Sequence, residues 1–169
     1  MYKRQELVSK KYKFNATIDL GFPTQLLDKI DARTLINKIN ENIKRIKPEI
    51  IYMINRSDIH SDHRIAFEAI YACTKNFRNP FIEKILMYEI LSETEFAPAL
   101  SENIFQPNVF VDISDFMEKK LEIMSLYASE VMPGNFPRSM SAIKALGAYR
   151  GSRIGVNYAE AFVLLFEKW

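Results

Sequence analysis

A short apolar run between two helical segments constrains the fold more than any other feature of the chain. Residues 49–54 (EIIYMI) form this run, and apolar residues recur at helical spacing on both sides of it. Such a run is typical of a strand that is covered on both faces. Pro48 separates it from a helix that Asp31 is expected to cap. The sequence therefore predicts a buried strand within a layered domain.

Strand-like and helix-like segments alternate along the rest of the chain. This alternation predicts an α/β fold with a largely parallel sheet. A long polar connection at residues 92–107 is expected to be a functional loop. The predicted strands are residues 16–20, 49–54, 84–90, 108–113 and 156–166, and the predicted helices begin near Asp31, Ser61, Ser114 and either Ser139 or Ser141, after a helix tail that ends near Tyr12.

Length and composition exclude several classes of protein. The 169 residues are the size of one domain, and a net charge of +2 is too small to indicate nucleic acid as a partner. The single cysteine, Cys73, excludes an internal disulfide and fits a reducing compartment. No apolar run approaches the length of a membrane-spanning helix. We therefore expect one soluble, cytoplasmic domain without a transmembrane segment.

The two histidines of the chain, His60 and His63, flank Asp62 just after the predicted strand at residues 49–54. In parallel sheets, sites form at the carboxyl ends of strands. One imidazole can bind a metal while the other faces the same pocket, and Asp62 can hydrogen-bond to an imidazole and fix its tautomer. The alternative is structural, because Ser61 or Asp62 would also cap the helix that follows.

Other candidate residues carry weaker signals. Cys73 lies on the apolar face of its helix, which favours a core position over a nucleophile. Arg138, Arg150 and Arg153 cluster late in the chain and are either solvated or available to an anionic substrate group. No Gly-rich phosphate loop follows a strand, which disfavours a nucleotide-binding domain.

Residues 48–66 (PEIIYMINRSDIHSDHRIA) resemble the second signature of the LmbE-like, or PIG-L, deacetylase family. In that family an apolar strand leads into a His-Pro-Asp-His-Arg pattern, and here Ser61 replaces the proline. The similarity extends over nearly the whole chain. The other family-like segments are residues 108–120, 127–130, 137–139, 150–151 and 159–162, together with Arg4, Glu6 and residues 20–23 near the start.

The resemblance implies a zinc-dependent hydrolase that removes an acyl group, usually acetyl, from the nitrogen of an amino sugar or glycoconjugate. It implies a three-layer, Rossmann-like fold with helices on both faces of the sheet, and Zn²⁺ or another divalent metal as cofactor. His63 would be a metal ligand, and His60 would stabilise the oxyanion or protonate the leaving amine. Asp62 would tune that histidine, and Arg4 and Arg138 would contact the substrate.

The sequence departs from the family at its start. Family members open with a strand that ends in an Ala-His-Pro-Asp-Asp-Glu pattern, which this chain lacks, and it has no third histidine. Three explanations are open: truncation, degeneration, or a first strand supplied by another chain. We expect residues 1–169 to be a single LmbE/PIG-L-like domain that is truncated at its N-terminus and lacks the first strand. The alternative is an inactive relative that acts as a binding or assembly module.

Overall fold

The computed structural model describes residues 2–169, with side chains described from Arg4 onward. Met1, which begins the predicted helix tail and the predicted domain, lies outside the described residues. None of the helices in this part of the chain is both long and apolar enough to span a bilayer. In chain order the helices and strands are α1 Tyr2–Tyr12, α2 Ala32–Ile46, β1 Ile50–Ile54, α3 Ser61–Ala72, β2 Lys84–Tyr88, β3 Val109–Asp112, α4 Met117–Ser125, α5 Met140–Ser152 and β4 Ala159–Glu167, with short 3-10 turns at Leu27–Lys29, Ser101–Asn103 and Ser114–Phe116.

The four strands form one mixed sheet in the order β1-β2-β4-β3. Strand β1 runs parallel to β2, with Ile50 opposite Lys84. Strand β4 runs antiparallel to β2, with Glu167 opposite Lys84. The predicted α/β class is confirmed, but the expectation of a largely parallel sheet is wrong for β4. The apolar pattern of a strand records its burial and not its direction relative to its neighbours.

Two strand predictions are wrong for physical reasons. Residues 16–20 form no strand, because this stretch is mostly exposed and ends at Gly21, whose φ is +68°. Strand β1 is not covered on both faces: Ile50 is 46% exposed and Tyr52 is 55% exposed, whereas Met53 is 1% exposed. Within the described residues β1 has a neighbour on one side only, so it is an edge strand.

The chain divides into two compact units, which we name by the groups they carry. The histidine unit comprises residues 20–109 and 161–169, and the arginine unit comprises residues 1–19 and 110–160. In the histidine unit, helices α2 and α3 pack together and α3 packs on β1. The core includes Met53, Cys73 and Met87. The predicted core position of Cys73 is therefore confirmed.

Helix boundaries follow the caps in both units. Asp31 caps α2 by accepting from the backbone N–H of Thr34 at 2.9 Å, as predicted. In the arginine unit, Ser139 caps α5 by accepting from the N–H of Ala142 at 3.1 Å, which resolves the two predicted alternatives. Ser114 caps no α-helix, because its hydroxyl donates to Asp112 at 2.6 Å within a turn and α4 begins at Met117.

Helices α4 and α5 pack against each other within the arginine unit. Gly151 is the penultimate residue of α5. A Cβ at Gly151 would lie 2.6 Å from the carbonyl oxygen of Val156 and 2.9 Å from the nitrogen of Tyr158. This glycine therefore allows close contact between α5 and the backbone that leads into β4.

Candidate functional site

The loop between β1 and α3 holds the candidate site of the histidine unit. It leaves the carboxyl end of β1 and contains two buried polar residues, Asn55 (2% exposed) and Asp58 (0% exposed). The backbone N–H of Asp58 donates to the carbonyl of Asn55 at 3.4 Å, which closes a turn. The Asn55 amide then donates to Asp58 Oδ1 at 3.0 Å. Burying two polar groups is tolerated here because each has a partner.

Asp58 is the hydrogen-bonding centre of the site. Its Oδ2 lies 2.9 Å from Nδ1 of His63, and its Oδ1 accepts from the Thr94 hydroxyl at 2.7 Å. Its backbone carbonyl accepts from Arg64 at 2.8 Å. Thr94 belongs to the long connection after β2, so a distant loop meets the histidine-bearing segment at this carboxylate.

His60 and His63 lie face to face at the start of α3. Their ring centroids are 4.8 Å apart, and the ring planes are inclined by 19°. His60 is the N-cap residue of α3: its Nδ1 accepts from the backbone N–H of Asp62 at 3.1 Å. The predicted start of this helix at Ser61 is confirmed, and the capping group is the imidazole of His60 rather than Ser61 or Asp62.

The two imidazoles carry opposite hydrogen-bond assignments at Nδ1. Because an ionised carboxylate can only accept, Nδ1 of His63 donates to Asp58 and leaves the Nε2 lone pair free. Because Nδ1 of His60 accepts from Asp62, a neutral His60 carries its proton on Nε2. One ring therefore presents a lone pair at Nε2, and its neighbour presents an N–H donor.

Asp58 also raises the pKa of His63. The hydrogen bond to Asp58 is the largest cause, and burial opposes it by disfavouring the charged imidazolium. The negative charges of Asp58, Glu93 and Asp62 add smaller contributions in the same direction as the hydrogen bond. The side chain of His63 is 25% exposed, so the ring is held at the surface of the loop rather than sealed inside it.

The carboxylate of Asp62 serves a different purpose from the predicted contact with an imidazole. Its oxygens accept from the backbone N–H groups of Gln25 at 2.6 Å and Leu27 at 3.2 Å. The hydrogen bond that was expected from Asp62 to a histidine is made by Asp58 instead. Asp62 contacts His60 through its backbone N–H, and its catalytic role stays a prediction.

A complete metal site is not formed by the residues that the structure describes. A catalytic zinc normally has three protein ligands, and no three His, Cys, Asp or Glu side chains come together in this part of the chain. The donor chemistry of His63 does fit one ligand position, because a metal-binding imidazole usually donates its other N–H to a carboxylate. The described residues therefore offer donors that fit one ligand position with a carboxylate behind it.

The predicted substrate residues Arg4 and Arg138 both lie in the arginine unit, where the segment at residues 127–130 holds them. Arg4 donates to the Ser129 hydroxyl at 2.8 Å, and its guanidinium lies 4.8 Å from the ring centroid of Tyr127. Arg138 pairs with Glu130 at 3.2 Å. The Nε atoms of both arginines are buried without a hydrogen-bond partner among the described residues. Two cations 134 positions apart in sequence thus share one supporting segment.

Comparison with known proteins agrees with the sequence resemblance. Residues 2–74 match the family model described as "PIG-L: GlcNAc-PI de-N-acetylase". The matched range ends just beyond α3 and contains both histidines. The resemblance to the PIG-L family is confirmed. This PIG-L match covers the loop after β1 and does not extend to β2, the long connection or the arginine at position 138.

Solved structures share the fold of this chain over nearly its whole length. A conserved protein from Thermus thermophilus matches with a TM-score of 0.78 and 24% identity, over 99% of this chain and 74% of that one. An N,N'-diacetylchitobiose deacetylase from Pyrococcus horikoshii matches with a TM-score of 0.70 and 19% identity, over 97% and 62%. A 4-carboxy-2-hydroxymuconate hydratase from Pseudomonas putida matches with a TM-score of 0.67 and 15% identity, over 99% and 72%. At these identities the likeness shows a shared fold.

Proposed function

We propose that the protein is a hydrolase that removes an N-acetyl group from an amino sugar or sugar conjugate. The family match at residues 2–74 and the fold shared with a chitobiose deacetylase support this reaction class. The single observation that carries the proposal is the stacked pair His60 and His63, with a donor N–H on one ring and a lone pair on the other. Metal-dependent amide hydrolysis needs a hydrogen-bond donor for the developing oxyanion and a ligand that binds the metal, which polarises the amide carbonyl.

His60 is the proposed catalytic donor. Its Nε2–H is directed by the hydrogen bond at Nδ1, so it can donate to the carbonyl oxygen as negative charge develops there. The leaving amine must be protonated to depart, and we propose that it receives the proton that the general base removes from the attacking water, because a neutral His60 keeps its own. Asp62 holds this ring from its backbone N–H, and its carboxylate fixes the start of α3 against residues 25–27.

His63 is the proposed metal ligand, through Nε2. A divalent metal such as Zn²⁺ would lower the pKa of a bound water and polarise the amide carbonyl. We propose that the other ligands and the general base come from residues other than those described. Arg4 and Arg138 remain the proposed substrate contacts, because a guanidinium group suits an oxygen-rich ligand.

We propose that residues 1–169 belong to one LmbE/PIG-L-like domain with the three-layer, Rossmann-like arrangement of that family. A cytoplasmic location stays a prediction that rests on the single buried cysteine.

The experiment that tests the function measures acetate release and bound metal in the same samples. We expect release from N-acetylglucosamine conjugates or N,N'-diacetylchitobiose, with loss of both metal and activity in His63→Ala. Thr74→Val is the matched control, because Thr74 makes an ordinary exposed hydrogen bond to Tyr71 at 2.8 Å in the same unit. Wild-type protein that binds metal but releases no acetate from any of these substrates would refute the proposal.

The alternative is a binding or assembly module that keeps the fold without the reaction. Its support is that the described site holds one ligand position rather than three. Titration calorimetry with Zn²⁺ separates the two functions. Binding of N-acetylated sugar without metal binding and without acetate release would favour the module.

A further inference from the structure

We propose that Asp58 is a positioning residue that fixes the tautomer of His63, and that Asn55 and Thr94 set the direction in which it does so. Asp58 is fully buried, and each of its carboxylate oxygens has a separate set of partners. A buried carboxylate whose two ends are distinguished in this way can impose a direction on its hydrogen bonds.

The Oδ1 atom of Asp58 accepts two hydrogen bonds. The Asn55 amide donates to it at 3.0 Å, and the Thr94 hydroxyl donates at 2.7 Å. The Thr94 hydroxyl oxygen already accepts from the backbone N–H of Ile90 at 2.8 Å, so its own proton is directed to Asp58. Asn55 is itself 2% exposed, which leaves its amide little freedom to turn away.

The Oδ2 end of Asp58 faces Nδ1 of His63 at 2.9 Å. Since this oxygen accepts, the proton of a neutral His63 stays on Nδ1 and the lone pair stays on Nε2. The value of that arrangement for metal binding rests on the proposed function. The tautomer itself does not, because it follows from the three donors around one carboxylate.

The long connection after β2 also contributes to the hydrogen bonds that hold Asp58 and its turn. Besides the Thr94 hydroxyl, it supplies the carbonyl of Glu93, which accepts from the backbone N–H of Ile59 at 3.1 Å. Both contacts fall on the turn that carries Asp58. The start of this connection therefore supports the orientation of His63 through Asp58 and Ile59.

The test reads tautomers by two-bond ¹H–¹⁵N NMR at about pH 9, well above the ordinary pKa of histidine. Because the chain has two histidines, two sets of ring signals suffice. We expect opposite tautomers in the wild type, with the proton on Nδ1 of His63 and on Nε2 of His60. A wild-type His63 protonated on Nε2 overturns the inference.

Asp58→Asn makes the sharper prediction. The two donors at the Oδ1 end require the amide oxygen there, so the amide nitrogen must face His63 and donate to Nδ1. We expect the ratio of Nδ1–H to Nε2–H to change by about tenfold or more in favour of Nε2–H. A folded Asp58→Asn protein whose His63 keeps its proton on Nδ1 refutes the proposal.

Thr94→Val removes both the acceptor of the Ile90 amide and one donor to Asp58. We expect hydrogen exchange at the Ile90 amide to accelerate about tenfold, because its acceptor is lost, and Thr94→Ser to restore it. Thr74→Val should change neither this exchange rate nor the tautomers. An unchanged exchange rate of the Ile90 amide in Thr94→Val would show that Thr94 does not accept from Ile90. That result overturns the argument that the Thr94 hydroxyl proton is directed to Asp58. All of these readouts need neither substrate nor metal, so failure of the proposed deacetylation would leave them intact.

Discussion

The histidine unit and the arginine unit hold their candidate groups in different ways. His60 and His63 depend on a carboxylate that is fully buried and on backbone N–H groups within the same short segment. Arg4 and Arg138 depend on partners from the segment at residues 127–130, and Arg138 and Glu130 are 33% and 40% exposed. The comparison shows that fixing which imidazole nitrogen carries the proton requires a buried, fully hydrogen-bonded carboxylate. An arginine side chain can instead keep its position and charge beside partners that are partly exposed.

The largest expected effect comes from removing the donor of the histidine unit while keeping its structural role. His60→Asn retains a side-chain oxygen that can cap α3, but it lacks Nε2–H. We expect kcat for deacetylation to fall about 10²–10⁴-fold, with bound metal unchanged. Steady-state kinetics with metal analysis check this. An unchanged kcat, or loss of bound metal, would contradict the proposal that His60 is the donor and His63 the metal ligand.

The next effect concerns the packing of the arginine unit and touches no proposed functional side chain. In Gly151→Ala the new methyl group meets backbone atoms that cannot move aside, so we expect the free energy of unfolding to fall by about 3 kcal/mol. Gly147→Ala is the matched control. Its Cβ would meet only the terminal carbon of Met117 within 3 Å, and we expect a loss below about 1 kcal/mol.

Urea denaturation of the two glycine variants measures this difference. Equal losses in Gly151→Ala and Gly147→Ala would contradict the close backbone approach.

A third prediction separates substrate binding from chemistry. Arg138→Ala removes an Nε donor that has no partner among the described residues, together with the ion pair to Glu130. We expect KM to rise about tenfold, with kcat changing by less than about threefold. Lys144→Ala, which breaks the exposed pair with Glu118, should leave both constants unchanged. If kcat falls in Arg138→Ala as much as in His60→Asn, Arg138 takes part in the chemical step, and the proposed difference between the two units is contradicted.

The smallest effect is the pH dependence of stability that His63 contributes. Its pKa is raised in the folded protein, chiefly by the hydrogen bond to Asp58, so protonated His63 stabilises the fold. In chelator-treated protein this contribution is complete below the unfolded pKa of about 6.5 and is lost as pH rises through the raised folded value. Urea denaturation across this range checks it. The fall in stability with rising pH should be smaller in Asp58→Asn than in the wild type. If the wild type instead gains stability with rising pH relative to Asp58→Asn, the prediction is contradicted.

Local sequence was enough to find the histidine pair and the start of α3. His60, Asp62 and His63 are neighbours in sequence, and an apolar strand precedes them, so their clustering needs no tertiary information. The caps at Asp31 and Ser139 were predictable for the same reason. Asp58 was within reach as well, because it lies five positions before His63 on a turn.

The contacts that complete the site were beyond sequence reasoning. Thr94 meets Asp58 from 36 positions away, and Gln25 meets Asp62 from 37 positions away. Both contacts arise only when separate loops fold together. The direction of β4 and the exposed face of β1 were missed on the same grounds, since apolar patterns do not specify which strands become neighbours.

The most direct measurement of the central claim is the product balance of the wild-type protein with N,N'-diacetylchitobiose and Zn²⁺. We predict acetate and free amine in equal amounts from the wild type, release at least about 100-fold slower from His60→Asn, and no product from His63→Ala. The account is contradicted if metal-loaded, folded wild-type protein leaves the acetylated sugar intact, or if either variant releases acetate at the wild-type rate.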